Sequence, residues 1–247
     1  MMRLALRIDD IGASSKKYEV YSNRGYGLCN ILFLKYLSSF RAWGPYRELT
    51  AGEWESVFEV LKRYNARLTV AITACWVDFY GKLIPFPLKF PRQAKKIKQG
   101  LLSGLLEIAN HGLTHCVTDK LRFRPRLFTS NRRYHREFWE WIPEREPFRH
   151  IRDSQEVLQD YFETKIVTFV PPGNVYADAT LRACVKNGIR IINCNTGTKN
   201  MKGVKILGNE RTIDFHDREI VLKGVQWLEG KLNNMPKGTE YIFVKDL

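Results

Sequence analysis

No stretch of this 247-residue chain approaches the roughly 20 consecutive apolar residues of a membrane helix, which excludes a transmembrane reading. Cysteine is sparse and odd in number: Cys29, Cys75, Cys116, Cys184 and Cys194, with no C-x-x-C pair. That argues against a disulfide framework or a zinc ribbon and leads us to expect buried, reduced thiols in a cytosolic protein. There is no internal repeat and no low-complexity linker. No export signal precedes the first apolar run, and an acidic pair already stands at residues 9–10, so a cytoplasmic protein is expected. Acidic side chains are in deficit, 26 against 40 basic ones, a net charge of +14. Such a field attracts nucleic acid, phosphorylated or uronic sugars, or an anionic membrane surface, without choosing among them. A hydrophobic content of 44% excludes a disordered chain.

What is present alternates. Residues 3–8 predict a buried strand. Thr50 and Glu53 have the spacing of a capping box, and Trp54, Val57, Phe58 and Leu61 follow at helical intervals, predicting a helix over 51–64. Leu68 to Thr73 predicts a second strand. Residues 78–92, with Pro85, Pro87 and Pro91, are expected to be loop. Helices are expected over 93–103, 153–163, 177–187 and 218–233. Strands are expected over 105–109, 166–170, 189–192, 212–216 and 241–244. Strands alternating with helices imply a parallel sheet. The expected fold is α/β, an irregular (β/α) barrel with fewer strands than a complete one. It forms a single domain over 1–247, with inserted segments at about 13–49 and 119–152.

In barrels of this kind functional residues gather at the C-terminal strand ends. Asp9 and Asp10 close the first strand, and His111 and His115 follow the strand at 105–109. One Asp and two His make a three-ligand metal set with a coordination position open, as catalytic zinc sites have and structural ones lack. The other Asp is then a base beside the metal. The pair lacks the Glu of H-E-x-x-H, which excludes that protease motif. Taken singly, the acidic pair reads as a solvated turn, the His pair as two rings on one side of a helical turn, and His216 as an ordinary core or surface histidine. His135 and His150 fit no motif and are expected at the surface.

In order and spacing the pieces are similar to the polysaccharide deacetylase family, the NodB homology domain. The T-F-D-D-G motif corresponds to Arg7-Ile8-Asp9-Asp10-Ile11-Gly12, and H-[ST]-x-x-H to His111-Gly112-Leu113-Thr114-His115. F-R-P-P-Y-G corresponds to Phe169-Val170-Pro171-Pro172-Gly173-Asn174, and the strand ending in L-x-H to Ile213-Asp214-Phe215-His216-Asp217. The resemblance runs from residue 3 to residue 244. It implies that Asp10, His111 and His115 hold a divalent metal, zinc first, with cobalt, manganese or nickel as alternatives. It implies Asp9 as general base, His216 as the acid for the leaving amine, and backbone N–H near Pro172 and Gly173 as oxyanion donors. The reaction implied is removal of an N-acetyl group from an amino sugar.

Two departures stand out. Val170 occupies the position of the family's Arg, and Arg7 that of its Thr. Residues two apart on a strand face the same side, so Arg7 is expected to replace the missing guanidinium and keep Asp9 ionised. Otherwise Arg7 binds an anionic substrate group, or the site is degenerate. The Asp that orients the catalytic His has no match near Asn193-Cys194-Asn195, which leaves Asp214 or Asp217. Residues 119–152 interleave arginines with aromatics. They are expected to form a lid in which Arg132, Arg133 and Trp139 contact substrate; the plainer reading is a solvated helix with a packed aromatic stripe. The expected substrate is an acetylated amino sugar of a surface polysaccharide (O-antigen or capsule), possible forms being nucleotide- or lipid-linked, with peripheral contact to an anionic membrane. The alternatives are an inactive carbohydrate-binding member of the same fold and a basic nucleic-acid-binding protein.

Overall fold

The computed structural model describes residues 2–17, 20, 22, 33–37, 39–41, 46–78, 80–116, 136–140, 142–195 and 201–247. Strands β1 (Arg3–Ile11), β2 (Leu68–Ile72) and β5 (Leu106–Asn110) are buried almost throughout and run parallel. Arg7 lies opposite Thr69, and Thr69 opposite Glu107. Side chains alternate along a strand. Leu6, Ile8, Leu68, Val70, Leu106 and Ile108 therefore face outward into the main apolar cluster. Arg7, Thr69 and Glu107 face the other way and make a polar interior layer. Glu107 accepts hydrogen bonds from the Thr69 and Thr168 hydroxyls (2.7 and 2.5 Å) and from the Lys245 amide (3.3 Å). One step towards the C-terminal strand ends, Ala71, Ala109 and Val170 pack together.

The outward side is covered by helices. The expected capping box is present: the Thr50 hydroxyl accepts from the Glu53 amide (3.2 Å), and the Glu53 carboxylate accepts from the Thr50 amide (2.8 Å). Helix α1 (Ala51–Arg63) then lays Trp54, Val57, Val60 and Leu61 on the sheet. Helix α3 (Pro91–Leu102) buries Ala94 and Ile97 in the same cluster, as α4 (Arg145–Phe162) does Leu158 and Phe162. Helix α5 (Asp178–Lys186) belongs to a second cluster, around Phe138, Phe169 and Ile192.

The remaining sheet strands are β6 (Thr168–Phe169), β7 (Ile191–Asn193), β8 (Lys205–Leu207), β9 (Thr212–His216) and β10 (Glu240–Ile242). The order is β10-β1-β2-β5-β6-β7-β8, all parallel, with β9 also on β1. Arg3–Ala5 pair with β10 and Ala5–Asp9 with β9, so two strands share one edge of β1. Eight strands thus fill seven positions of a curled sheet, the irregular (β/α) barrel expected from the sequence.

Several expectations are corrected. The 78–92 stretch is not plain loop. Strands β3 (Cys75–Val77) and β4 (Leu83–Pro85) form an antiparallel hairpin, followed by α2 (Phe86–Lys89). Pro85 ends its strand and Pro87 lies in the first helical turn, both places where a missing N–H is tolerated. Helix α4 starts at Arg145, well before residue 153. Its buried stripe of His150, Ile151, Ser154, Gln155, Leu158 and Phe162 is too polar to show as apolar periodicity. The helix expected over 218–233 is two, α6 (Asp217–Lys223) and α7 (Gln226–Asn233), parted at Gly224 with φ 78°. The short strand β8 was not foreseen, and the strand expected over 166–170 shrinks to Thr168–Phe169. His150 is buried rather than at the surface. Cys75, Cys116, Cys184 and Cys194 are buried and unbridged. Cys29 and His135 lie outside the described residues. No helix among the described residues is long and apolar enough to cross a membrane.

Candidate metal centre

A regular strand would send Asp9 and Asp10 to opposite faces. β1 does not stay regular. Its pairing with β2 passes from Ile8–Val70 to Ile11–Ile72, so three steps on β1 answer two on β2. This is a β-bulge, and Asp10 takes the left-handed conformation, φ 68°. Asp9 keeps its place beside His216 of β9, while Asp10 turns towards the histidines that follow β5.

That second segment is a loop, not the helical turn its spacing suggested. Gly112 (φ 81°) and His115 (φ 59°) bend it sharply. A Cβ on Gly112 would strike the Glu137 carboxylate and crowd Phe138, so the position requires glycine. Asn110 starts the bend: its amide donates to Ser154 and Gln155 (2.8 and 3.0 Å), and its carbonyl accepts from the Gly112 N–H (2.8 Å). Glu137 holds the bend from behind. Its carboxylate accepts from the backbone N–H of Leu113, Thr114 and His115 (3.0, 3.3 and 2.9 Å) and pairs with His150 Nδ1. Neither Glu137 nor His150 was recognised from sequence, because no motif spacing links them to residues 113–115.

The result is a cluster in which ligand atoms of Asp10, His111 and His115 all lie within 4.8 Å of one another. His111 Nδ1 is 2.7 Å from the Val170 carbonyl oxygen, which fixes the proton there and turns Nε2 towards Asp10 Oδ1, 3.3 Å away. His115 Nδ1 lies 3.1 Å from Ser15 Oγ, and its Nε2 lies 3.0 Å from the same Asp10 oxygen. Two imidazole nitrogens, each oriented from behind, and a carboxylate fit a borderline divalent ion such as zinc. Burial pushes the Asp10 carboxyl up, but His216, His115 and His111 hold it well below the usual range. Burial pulls the His111 imidazole down, and the Asp10 and Asp9 carboxylates outweigh that and raise it.

Arg7 meets Asp9 with a two-pronged contact, Nε to Oδ1 and Nη2 to Oδ2, both 2.8 Å. Nη1 donates to Asn193 Oδ1 (2.5 Å), and Asp214 lies 3.6 Å from Nη2. Burial pushes the Asp9 carboxyl up, yet the Arg7 guanidinium prevails and holds it below the ordinary value. Asn193 ends β7, where the resemblance would place an Asp, and here it braces Arg7. His216 Nε2 is 4.0 Å from Asp10 Oδ2. Neither Asp214 nor Asp217 orients that imidazole: the first faces Arg7 and the second bonds Lys16.

Pro171 and Pro172 carry no N–H, so Gly173 (φ 65°, exposed) offers the first amide of the turn after β6. Pro172 itself is buried and lies beside Gly112. Half-buried Trp139 lies beneath Arg136, whose guanidinium carbon is 4.0 Å from the ring centre. Arg132 and Arg133 lie outside the described residues.

The sequence model described as polysaccharide deacetylase matches residues 44–192, more than half of the chain. No curated protein matches in sequence. Among solved structures, a CE4 family pseudoenzyme from Bacillus anthracis shares 10% identity at TM-score 0.53, over 100% of this chain and 64% of that one. The chain thus spans less than two thirds of that neighbour's length. A family 4 acetyl xylan esterase from Clostridium thermocellum, in complex with a cobalt ion, shares 14% identity at TM-score 0.51, over 99% and 89%. A peptidoglycan N-acetylglucosamine deacetylase shares 15% identity at TM-score 0.51, over 99% and 86%. At these identities the likeness is one of fold.

Proposed function

The chain belongs to the polysaccharide deacetylase family, and from that membership we propose that it is a metal-dependent hydrolase removing an N-acetyl group from an amino sugar. The observation that carries the reading is the Asp10, His111 and His115 cluster next to an arginine-held Asp9. Asp10, His111 and His115 would hold a divalent ion, zinc first and cobalt, manganese or nickel as alternatives. When bound, such an ion makes water more acidic and polarises the acetamide carbonyl. Asp9, kept charged by Arg7, takes a proton from the attacking water. His216 protonates the departing amine. The Gly173 N–H donates to the oxyanion of the tetrahedral intermediate. Acetate and a free amine leave.

The charge of +14 supports an anionic substrate, such as a nucleotide-linked or lipid-linked sugar of O-antigen or capsule assembly. Peripheral contact with an anionic membrane fits the same charge. Buried, unbridged cysteines support a cytoplasmic setting. A second reading, a carbohydrate-binding member without catalysis, draws on Val170 and Asn193, which stand where the family pattern has Arg and Asp. Nucleic-acid binding leaves the buried donor cluster without a purpose.

The test is acetate release from acetylated nucleotide- and lipid-linked amino sugars and from a neutral acetylated chitooligosaccharide. Release from one of these should disappear on chelation and return with zinc or cobalt. Release indifferent to chelation would remove the metal from the account. No release from any would move the protein to the second reading.

A further inference from the structure

A buried ion trio beside the metal cluster plays no part in the chemistry above. After β1 the chain makes a 3-10 turn, Ser14–Lys17. Lys16 in this turn is 1% exposed. Its ammonium contacts Glu48 Oε2 at 2.8 Å and, more closely still, Asp217 Oδ2, and it stands 5.4 Å from the Tyr46 ring centre. The same Glu48 oxygen accepts from the Gly12 N–H (2.9 Å). The neighbouring residue of the turn, Ser15, is the one that meets His115. Asp217 is fully buried and is the first residue of α6, directly after His216.

Burying three ionisable groups together is costly: burial pushes the Asp217 carboxyl well above its ordinary range despite the pull of Lys16, and a buried ion pair is weak evidence for stability. This trio has two carboxylates for one ammonium, and among the described residues Glu48 Oε1 and Asp217 Oδ1 have no hydrogen-bond partner. What the trio does supply is geometry. Among the described residues, the only carboxylate within 4.0 Å of the His216 ring nitrogens is that of Asp10. The ring's position therefore rests on its backbone. On one side that backbone is fixed by pairing with Asp9; on the other its N–H donates to Glu219 (3.2 Å) and it enters α6, whose first residue is held to the turn after β1 by Lys16.

We propose that Lys16 is a positioning residue for the reaction: its sealed ammonium joins the first residue of α6 to the turn after β1 and so fixes His216 over Asp10. The catalytic half of this inference rests on the function proposed above; the tether itself does not.

Asp217→Asn tests it in the full chain with zinc added. The variant leaves Lys16 balanced by Glu48, so it should fold, and it weakens the hold on α6. In protein labelled at the histidine ring nitrogens, the His216 signal should shift or broaden while those of His111 and His115 stay. On any acetylated substrate the wild type cleaves, kcat should fall about 10- to 100-fold with KM little changed, the loss expected for a misplaced acid. Lys16→Met, where it folds, should give the same pattern. A His216 signal and kcat like the wild type's in Asp217→Asn would overturn the proposal. If the wild type releases no acetate at all, the functional reading fails, and the His216 signal alone decides the tether.

Discussion

Arg7→Leu should destabilise the protein by about 3–5 kcal/mol at neutral pH, the range for removing one partner of a buried ion pair. The side chain is fully buried and spends its donors on Asp9, Asn193 and Asn209. Without it Asp9 is a buried carboxylate with no cation bonded to it. The pH dependence follows from the direction of the Asp9 shift. In the wild type that carboxyl lies below its ordinary value of 3.8, so its contribution is present above that value and lost as pH falls through the lower folded value. In the variant the pull of Arg7 is gone, and burial meets only the weaker pull of His111 and His216, so the carboxyl should rise. Its charged form then opposes folding at neutral pH and is relieved as the solution is acidified. The stability gap between the two proteins should therefore be widest near neutrality and narrow towards acid, and Arg7→Leu with Asp9→Asn should recover part of it. Urea melts across that range measure this. Equal midpoints at neutral pH would show that the Arg7–Asp9 contact carries no weight, and unchanged turnover in Arg7→Leu would end its role in supporting the base.

Asp9→Asn separates the base from the metal. The substitution keeps the shape, leaves Asp214 3.6 Å from Arg7, and touches none of the three metal donors. Metal content should stay at the wild-type level while kcat falls about 10²- to 10⁴-fold, the usual contribution of a general base. KM should change little, because the proton moves only in the chemical step. Metal analysis beside steady-state kinetics on the same preparation gives both readings. Turnover within a few-fold of wild type, or loss of the metal, would mean that Asp9 is not the base or that the two aspartates share the donor role.

The main architecture was legible because its signals are local. Apolar runs gave β1, β2 and β5, and Thr50 with Glu53 marked the start of α1. The link between Arg7 and Asp9 was legible too, since alternation along a strand decides which side chains share a face. Other parts depend on information that single-strand patterning does not hold. A bulge turns Asp10 away from its regular strand position towards His111 and His115, and only the register against β2 reveals it. The His111–His115 spacing suited a helical turn, but Gly112 and the Glu137 carboxylate stabilise a bend. Glu137, His150, Ser15 and Lys16 act across long sequence separations, and their types alone read as surface charge or polar loop. Asp214 and Asp217 were the right kind of residue to orient His216, yet the cations Arg7 and Lys16 take them. Of the arginine-rich stretch 119–152 that was expected to form a lid, residues 119–135, with Arg132 and Arg133, lie outside the described residues, and residues 145–152 open helix α4 instead.

The central claim, that Asp10, His111 and His115 form one metal site, is tested most directly by metal stoichiometry of tag-free protein, wild type beside Asp10→Ala and His111→Ala. The account predicts about one divalent ion per chain in the wild type and loss of it in both variants, since each removes a donor. Absence of metal from the wild type even after zinc or cobalt is added, or retention of the ion in either variant, would contradict it.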